Sequence, residues 1–417
     1  MPRPSRLLSC TAAALLATGL TGAGLALTGA GAHLGLTTLT ADAATSWPAH
    51  VFAPYVDTGL SNTTLTTVAS DYGTKYFELA FANGSGCQWS LPNQSGWQSQ
   101  ISALQAEGGD VSISFGGYTV DSDGTDLGNQ CSSASAMATQ VESVVTTMNV
   151  THLDFDIESN EETNAADVTR TAQALAQVRS WASSTGRTLN ISYTLPVLPS
   201  GFTSDGMNVL NAAASNGFKP DIVNIMTMDY GTSGTEMGTA ANQALDAAAG
   251  QVASVFGEST AAAYAMLGNT PMIGQNDSPG EIFSLADAST VESHAAQEGI
   301  ALLSFWSEGR DNGGCPGQTS ASSTCSGLSQ SSGAFTQAFQ AFTTGGSSGG
   351  GGGGGSTPPP TSPPPGSGSC DPAWSNSTAY TSGNEVSYNG HNWTANQWNY
   401  DEVPGGPSGA WNDDGDC

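Results

Sequence analysis

The chain has 417 residues, room for one large domain and a small one. Its 36 Asp and Glu against 8 Lys and Arg give a formal net charge of −28. Such a surface repels nucleic acid and anionic lipid, which excludes both as partners, and by itself it says nothing positive about chemistry.

The first segment reads as an export signal over residues 1–43. Arg3 and Arg6 make a short basic start, an apolar Ala/Leu/Gly stretch runs from Leu7 to Leu36, and Ala41-Asp42-Ala43 supplies an A-x-A-like cleavage site. The stretch is long enough to span a bilayer, but its repeated Gly and Thr favour a cleaved leader over an anchor. Cys10 sits at the start of the apolar run and does not follow it, so a lipid-attachment site is rejected. Once the leader is removed, no membrane association is expected, and the destination is extracellular. Six of the seven cysteines then remain, an even number suited to an oxidising compartment. By proximity they pair as Cys87–Cys131, Cys315–Cys325 and Cys370–Cys417. No C-x-x-C occurs and the His residues are scattered, so no zinc pattern exists.

From 44 to 344, apolar strand-like runs alternate with helix-like stretches. The predicted strands are Val51–Val56, Tyr76–Phe81, Val111–Phe115, Leu153–Ile157, Leu189–Leu195, Ile222–Met228, Tyr264–Leu267 and Ile300–Trp306. Helical spacing is clear over Ala134–Met148 and Ala165–Ala182. Eight strands with intervening helices predict an α/β chain folded as a (β/α)8 barrel. An open doubly wound sheet is the alternative, disfavoured because no G-x-G-x-x-G follows the first strand. Residues 345–369, GGSSGGGGGGGSTPPPTSPPPGSGS, carry no charge and almost no apolar side chain, and read as a linker. A small module follows over 370–417.

The informative segment is Thr151-His152-Leu153-Asp154-Phe155-Asp156-Ile157-Glu158. Residues two apart in a strand share a side, so Asp154, Asp156 and Glu158 line one face. On an isolated amphipathic strand these acids would face water. In a barrel the apolar face packs on helices and the acids point inward. Three buried carboxylates cannot all ionise cheaply, so at least one has a raised pKa and can serve as a general acid. A divalent-metal site is a minor alternative for such a set of oxygens.

This segment resembles the D-x-x-D-x-D-x-E signature on the fourth barrel strand of family 18 glycoside hydrolases, with Thr151 standing in place of the first Asp. Ser114-Phe115-Gly116-Gly117 is similar to the family's S-x-G-G, Met226-Thr227-Met228-Asp229 with Tyr230 to its Met-x-x-Asp element, and Ser304-Phe305-Trp306 to its eighth-strand Trp. Phe52-Ala53-Pro54-Tyr55 and the Met226–Gly231 stretch point to the bacterial and archaeal chitinase branch. The resemblance implies a retaining, substrate-assisted hydrolysis without a protein nucleophile. In it Glu158 protonates the glycosidic oxygen and Asp156 orients the substrate acetamide. Asp154 shares a proton with Asp156, Asp229 and Tyr230 (with Met226 beside them) fix the acetamide, and Trp306 floors the sugar. Catalysis needs no cofactor and no metal.

The 370–417 module is rich in Trp, Tyr, Gly and Asn, and at this size a Cys370–Cys417 staple is expected. Ala373-Trp374-Ser375, Ala379-Tyr380, Val386 to Trp393 and Pro404-Gly405 to Trp411 resemble the all-β family 5/12 chitin-binding modules. Trp398 and Tyr400 are expected to face the polymer, Tyr380 less strongly so, with Trp374, Trp393 and Trp411 in the core. The function expected is a secreted, monomeric chitinase whose partners are chitin and N-acetylglucosamine oligomers. An endo-β-N-acetylglucosaminidase acting on glycans and a non-catalytic chitin lectin are the alternatives; the tethered module argues against the first and the intact Glu158 against the second.

Overall fold

In the first apolar run Pro54 has no N–H to give, so the strand splits into β1 (Val51–Phe52) and β2 (Tyr55–Asp57). The computed structural model describes residues 47–60, 64–345, 370, 372–375, 379–380, 384–395, 399–400, 403–404 and 410–416. These fall into two compact units, one ending at 345 and one beginning at 370. The predicted leader over 1–43 and the predicted linker, apart from Gly345, lie outside the described residues.

Chain continuity through Pro54 closes the sheet of the large unit. After β2 come β3 (Tyr76–Ala80), β4 (Asp110–Gly116), β5 (His152–Asp156), β6 (Asn190–Pro196), β7 (Ile222–Met226) and β8 (Leu267–Thr270). A short antiparallel pair, β9 (Gly274–Gln275) and β10 (Ile282–Phe283), precedes β11 (Leu302–Leu303). The sheet order is β1-β11-β8-β7-β6-β5-β4-β3-β2, parallel throughout. Because β1 pairs with β11 on one side and β2 with β3 on the other, the two halves act as one strand and the ring closes with eight. The backbone bonds run across the break: Ala53 N–H donates to Leu303 O, Tyr55 N–H to Phe305 O, and Glu78 N–H to Pro54 O. This is the expected (β/α)8 fold.

The strands are buried on both faces, as parallel strands wrapped by helices must be. Leu153 and Phe155 of β5 face the helix layer, where Phe155 stacks on Phe115 with ring centres 4.8 Å apart. Helices Ala134–Met148 and Ala165–Ser184 start where their caps dictate: the Ser133 hydroxyl accepts from Ala136 N–H and the Asn164 side chain from Ala166 N–H. The helix Leu285–Glu298 begins with a capping box between Ser284 and Asp287.

The predicted strand at Tyr264–Leu267 is corrected. Thr260–Tyr264 is a short helix capped by Ser259, and the strand occupies Leu267–Thr270. Three alanines favour the helix, while Gly268 and Asn269 give the strand little β-propensity, so its signature in the sequence is weak. A Cβ at 268 would sit 2.7 Å from Asn224 Oδ1, which explains glycine there.

The second unit pairs β12 (Ala379–Tyr380) with β15 (Asn399–Tyr400), and forms a three-stranded antiparallel sheet β13-β14-β16 from Glu385–Tyr388, His391–Ala395 and Trp411–Asp416. Its core is Tyr380, Val386, Ala395, Ala410 and Trp411, with Trp374 and Trp393 packed against it. Tyr380 is therefore not available to the polymer. Its ring meets Trp411 edge-on at 5.1 Å and its hydroxyl accepts from Ser375 N–H at 2.7 Å. Among the described residues no helix is long and apolar enough to cross a membrane.

Two disulfides match the predicted pairing, Cys87–Cys131 and Cys315–Cys325; Cys417 lies outside the described residues. The first closes a 44-residue span, worth about 4 kcal/mol in the chain-entropy account. Replacing both Cys87 and Cys131 with Ser should lower stability by roughly 2–4 kcal/mol in urea unfolding. A loss well under about 1 kcal/mol would show that packing, not the crosslink, holds the loop.

Candidate active site

The register of the barrel assembles the site. Ser114 of β4, Asp154 of β5 and Ser192 of β6 lie side by side, and one step toward the strand ends Gly116, Asp156 and Thr194 do the same. Asp154 is 1 % exposed. Its Oδ2 accepts from the Ser114 hydroxyl at 2.6 Å and from Tyr55 Oη at 3.0 Å. Its Oδ1 accepts from Ser192 Oγ at 2.7 Å and Thr194 Oγ1 at 2.8 Å. Burial raises the Asp154 pKa and these four hydroxyls pull it back.

Asp156 is differently placed. It is 5 % exposed and its Oδ1 has no hydrogen-bond partner. Burial first, then repulsion from Glu158, Asp154, Asp121 and Glu161, hold its carboxyl well above the usual range. The buried pair is thus unequal: four hydroxyl donors offset the burial of Asp154, whereas for Asp156 repulsion adds to burial and Oδ1 has no partner.

Glu158 follows the strand and is half-buried. Burial raises its pKa to about 7; the Tyr118 backbone N–H works against that, and the nearby Asp229 carboxylate adds to it. Glu158 N–H donates to Asp121 Oδ2 at 2.8 Å, which fixes the backbone where the acid projects. Asp121 is itself fully buried, and desolvation lifts it to about 8.

The two glycines after β4 let the chain pass this close. Gly116 and Gly117 both have φ of +89°, and a Cβ on Gly116 would lie 2.0 Å from the Asp156 carbonyl oxygen. On Gly117 it would meet the Phe81 ring at 2.7 Å, while Gly117 N–H donates to Asp156 O at 3.0 Å.

Met226 ends β7 and is buried. Asp229, in the left-handed region at φ 51°, turns the chain there; Ser278 N–H donates to its Oδ1 at 2.6 Å. Tyr230 N–H donates to Glu281 Oε2 at 2.9 Å. The Tyr230 ring packs against the barrel core, and its hydroxyl is buried without a partner, raised by burial and by Glu281. The acid whose charge it feels is Glu281, not Asp156. The hairpin of β9 and β10 supplies these partners, since Ser278 and Glu281 lie between or beside its strands. Trp306 is half-buried at the mouth, stacked on Phe81 at 5.8 Å and tilted 6.0 Å from Tyr55. Trp398 lies outside the described residues, and Tyr400 is placed as a residue of β15.

The reading of the sequence missed Tyr55, Ser192 and Thr194 as site residues, along with Asn224, whose amide donates to Thr194 Oγ1 at 3.0 Å. A hydroxyl two residues apart on a neighbouring strand was the available signal: Ser192-Tyr193-Thr194 alternates polar and apolar as Asp154-Phe155-Asp156 does. Asp121 and Tyr118 were missed because they come from the loop after Gly117.

The sequence profile of glycosyl hydrolases family 18 matches residues 49–283, and that of carbohydrate-binding module family 5/12 matches 373–412. A probable bifunctional chitinase/lysozyme of Escherichia coli (strain K12) is 35% identical over 320 residues, 72% of this chain and 35% of that protein. Endochitinase 11 of Metarhizium anisopliae is 34% identical over 282 residues, 64% of this chain and 53% of that protein. The chain therefore spans between a third and about half of these relatives. The catalytic domain of the hyperthermophilic chitinase from Pyrococcus furiosus superposes with a TM-score of 0.66 at 32% identity, covering 73% of this chain and 98% of that one. With the profile covering more than half of its residues, the chain belongs to family 18 of the glycosyl hydrolases, and it carries a C-terminal module of carbohydrate-binding family 5/12.

Proposed function

We propose that this protein is a secreted chitinase that hydrolyses β-1,4 bonds between N-acetylglucosamine units with retention, using the substrate's own acetamide as nucleophile. The observation that carries this reading is the pairing of one acid raised to about 7 with a buried Asp156 whose Oδ1 has no protein partner. A buried polar atom left unpaired is costly, and an N-acetyl sugar brings an amide that can satisfy it. The relatives named as chitinases, a Pyrococcus furiosus chitinase structure described as complexed with chito-oligosaccharides, and the 5/12 module support chitin as the substrate. The leader-like residues 1–43 and the disulfides support export.

The proposed sequence of events uses few groups. Glu158 gives its proton to the glycosidic oxygen as the bond to the anomeric carbon breaks. The acetamide carbonyl oxygen bonds to that carbon from the other side, forming an oxazolinium-type intermediate. Asp156 holds the acetamide N–H and passes its proton toward Asp154, whose four hydroxyl donors stabilise whichever charge remains. Glu158, now ionised, takes a proton from water as the water oxygen bonds to the anomeric carbon; the bond to the acetamide oxygen breaks, its electron pair returns to the re-formed acetamide, and the original configuration is restored. Trp306 offers the apolar floor beneath the reacting ring, and Asp229, Tyr230 and Met226 surround the acetamide end. Domains are proposed as 44–344 for catalysis, 345–369 as a spacer and 370–417 for holding the polymer.

Glu158→Gln should reduce release of soluble oligomers from colloidal chitin by about 10²–10⁴-fold while leaving chitin binding in place; full activity in the variant would move the acid elsewhere. The acid must be protonated to act, so turnover should fall as pH rises through about 7. Asp229→Asn removes a negative neighbour of Glu158, and the alkaline limb of kcat should move to lower pH. An unmoved or upward-shifted limb would contradict the assignment. Trp398→Ala with Tyr400→Ala should weaken retention on insoluble chitin roughly tenfold or more and leave hydrolysis of short soluble oligomers unchanged. Equal losses on both substrates would remove these residues from polymer binding.

A further inference from the structure

Behind the catalytic acid lies a second group of carboxylates that the proposed reaction does not use. Asp121, from the helix Tyr118–Asp123, Asp126, just before Leu127–Gln130, and Glu161, from Ser159–Thr163, each present one carboxylate oxygen within 4.8 Å of the others. All three side chains are buried, at 0, 3 and 5 % exposure.

Each is anchored through one oxygen. Asp121 Oδ2 accepts from Glu158 N–H at 2.8 Å, Asp126 Oδ1 from Asn129 N–H at 2.7 Å, and Glu161 Oε1 from the Thr171 hydroxyl at 3.1 Å. The second oxygens of Asp121 and Asp126 are buried with no hydrogen-bond partner. The nearby cation is already engaged: Arg170 pairs with Asp167 at 2.8 Å and donates to the Gly128 carbonyl. Asp167 in turn accepts from Asn129 and Asn164. Three buried carboxyl groups therefore meet at Asp121, Asp126 and Glu161 with oxygens to spare, and Asp156 Oδ1 is a further buried oxygen without a partner.

Space is present as well. Asp126 and Glu161, though not Asp121, line a small cavity together with Asp156, Phe115, Met137 and Gly128, with a volume of about 10 Å³, roughly one small occupant. Oxygens bound to one calcium ion at 2.3–2.6 Å lie at most about 5 Å apart, whereas magnesium at 2.0–2.1 Å draws them within about 4 Å.

We propose that Asp121, Asp126 and Glu161 form a structural divalent-cation site, with calcium the best fit, set beneath the loop that carries Glu158. Hard oxygen ligands held together out of water are what such an ion requires, and its binding would displace the protons these acids otherwise hold. Through Asp121 the ion would brace the Glu158 backbone, making the site a positioning device and not a participant in bond cleavage. It does not depend on chitin being the substrate.

The test uses the full chain, stripped with chelator and desalted. Calcium chloride is added, and the metal retained after gel filtration is counted by elemental analysis while unfolding is followed by calorimetry. One calcium per chain and a Tm rise on the order of 5 °C at calcium a hundredfold above its Kd are expected. Asp126→Asn, which does not touch Glu158, should abolish both responses, and Glu161→Gln serves if that variant does not fold. No retained metal and an unchanged Tm of the unmodified chain in calcium, magnesium and manganese would overturn the proposal, leaving protons or water as the occupants. Retention that survives both substitutions would equally overturn it by placing the ion elsewhere on this acidic surface.

Discussion

A carboxylate sealed on the axis of a barrel can stay charged only if donors surround it, and Asp154 has four. They come from three separate strands: Tyr55 from β2, Ser114 from β4, and Ser192 with Thr194 from β6. Those contacts need the ring to close at β1 and β2, because Tyr55 reaches Asp154 from the other end of the chain's sheet order. With Asp154 fixed, the two-residue period of β5 places Asp156 one layer higher and Glu158 at the mouth. The layers differ in donors, and that difference separates their roles. Asp154 is saturated, Asp156 is left with an empty oxygen, and Glu158 is half-exposed and poised near neutrality.

The loops complete what the strands begin. Gly116 and Gly117 allow the chain to lie against Asp156, and the segment they release returns Asp121 to the Glu158 backbone and brings the Tyr118 N–H toward its carboxyl. The β9–β10 hairpin ties Asp229 and Tyr230 through Ser278 and Glu281. The Glu158 carboxyl is thus tuned by opposed influences, in which burial outweighs one backbone donor and a neighbouring carboxylate adds to burial. Three buried acids from loop helices lie below it, short of cations.

Much of this was legible in the sequence because it is written locally. The alternation of Leu153, Phe155 and Ile157 with Asp154, Asp156 and Glu158 states which face is which once a barrel is assumed. The paired glycines and the short-range cysteine pairs are likewise local marks. Strand Leu267–Thr270 was displaced in the reading because glycine and asparagine hide its β character beside an alanine helix. The alternation of Ser192, Tyr193 and Thr194 marks a polar face in the sequence, but only the register shows that this face and Tyr55 meet Asp154. Asp121, Asp126 and Glu161 come together through three loop helices, so no spacing in the sequence could reveal them. Tyr380 seemed free to meet a polymer because a small module's aromatic residues look alike until packing shows which of them fill its core.

The central claim of the proposed mechanism is that Asp156 carries a proton at rest and can pass it toward Asp154. It is tested most directly by titrating carboxyl carbons in protein labelled with ¹³C-aspartate, with the Asp156 resonance assigned through Asp156→Asn. The account predicts that Asp156 is still protonated at about pH 6, well above the ordinary aspartate range near 4. An Asp156 resonance already fully ionised by about pH 5 would contradict it, because the empty oxygen would then belong to a charged group and the proton proposed for the acetamide step would not be there.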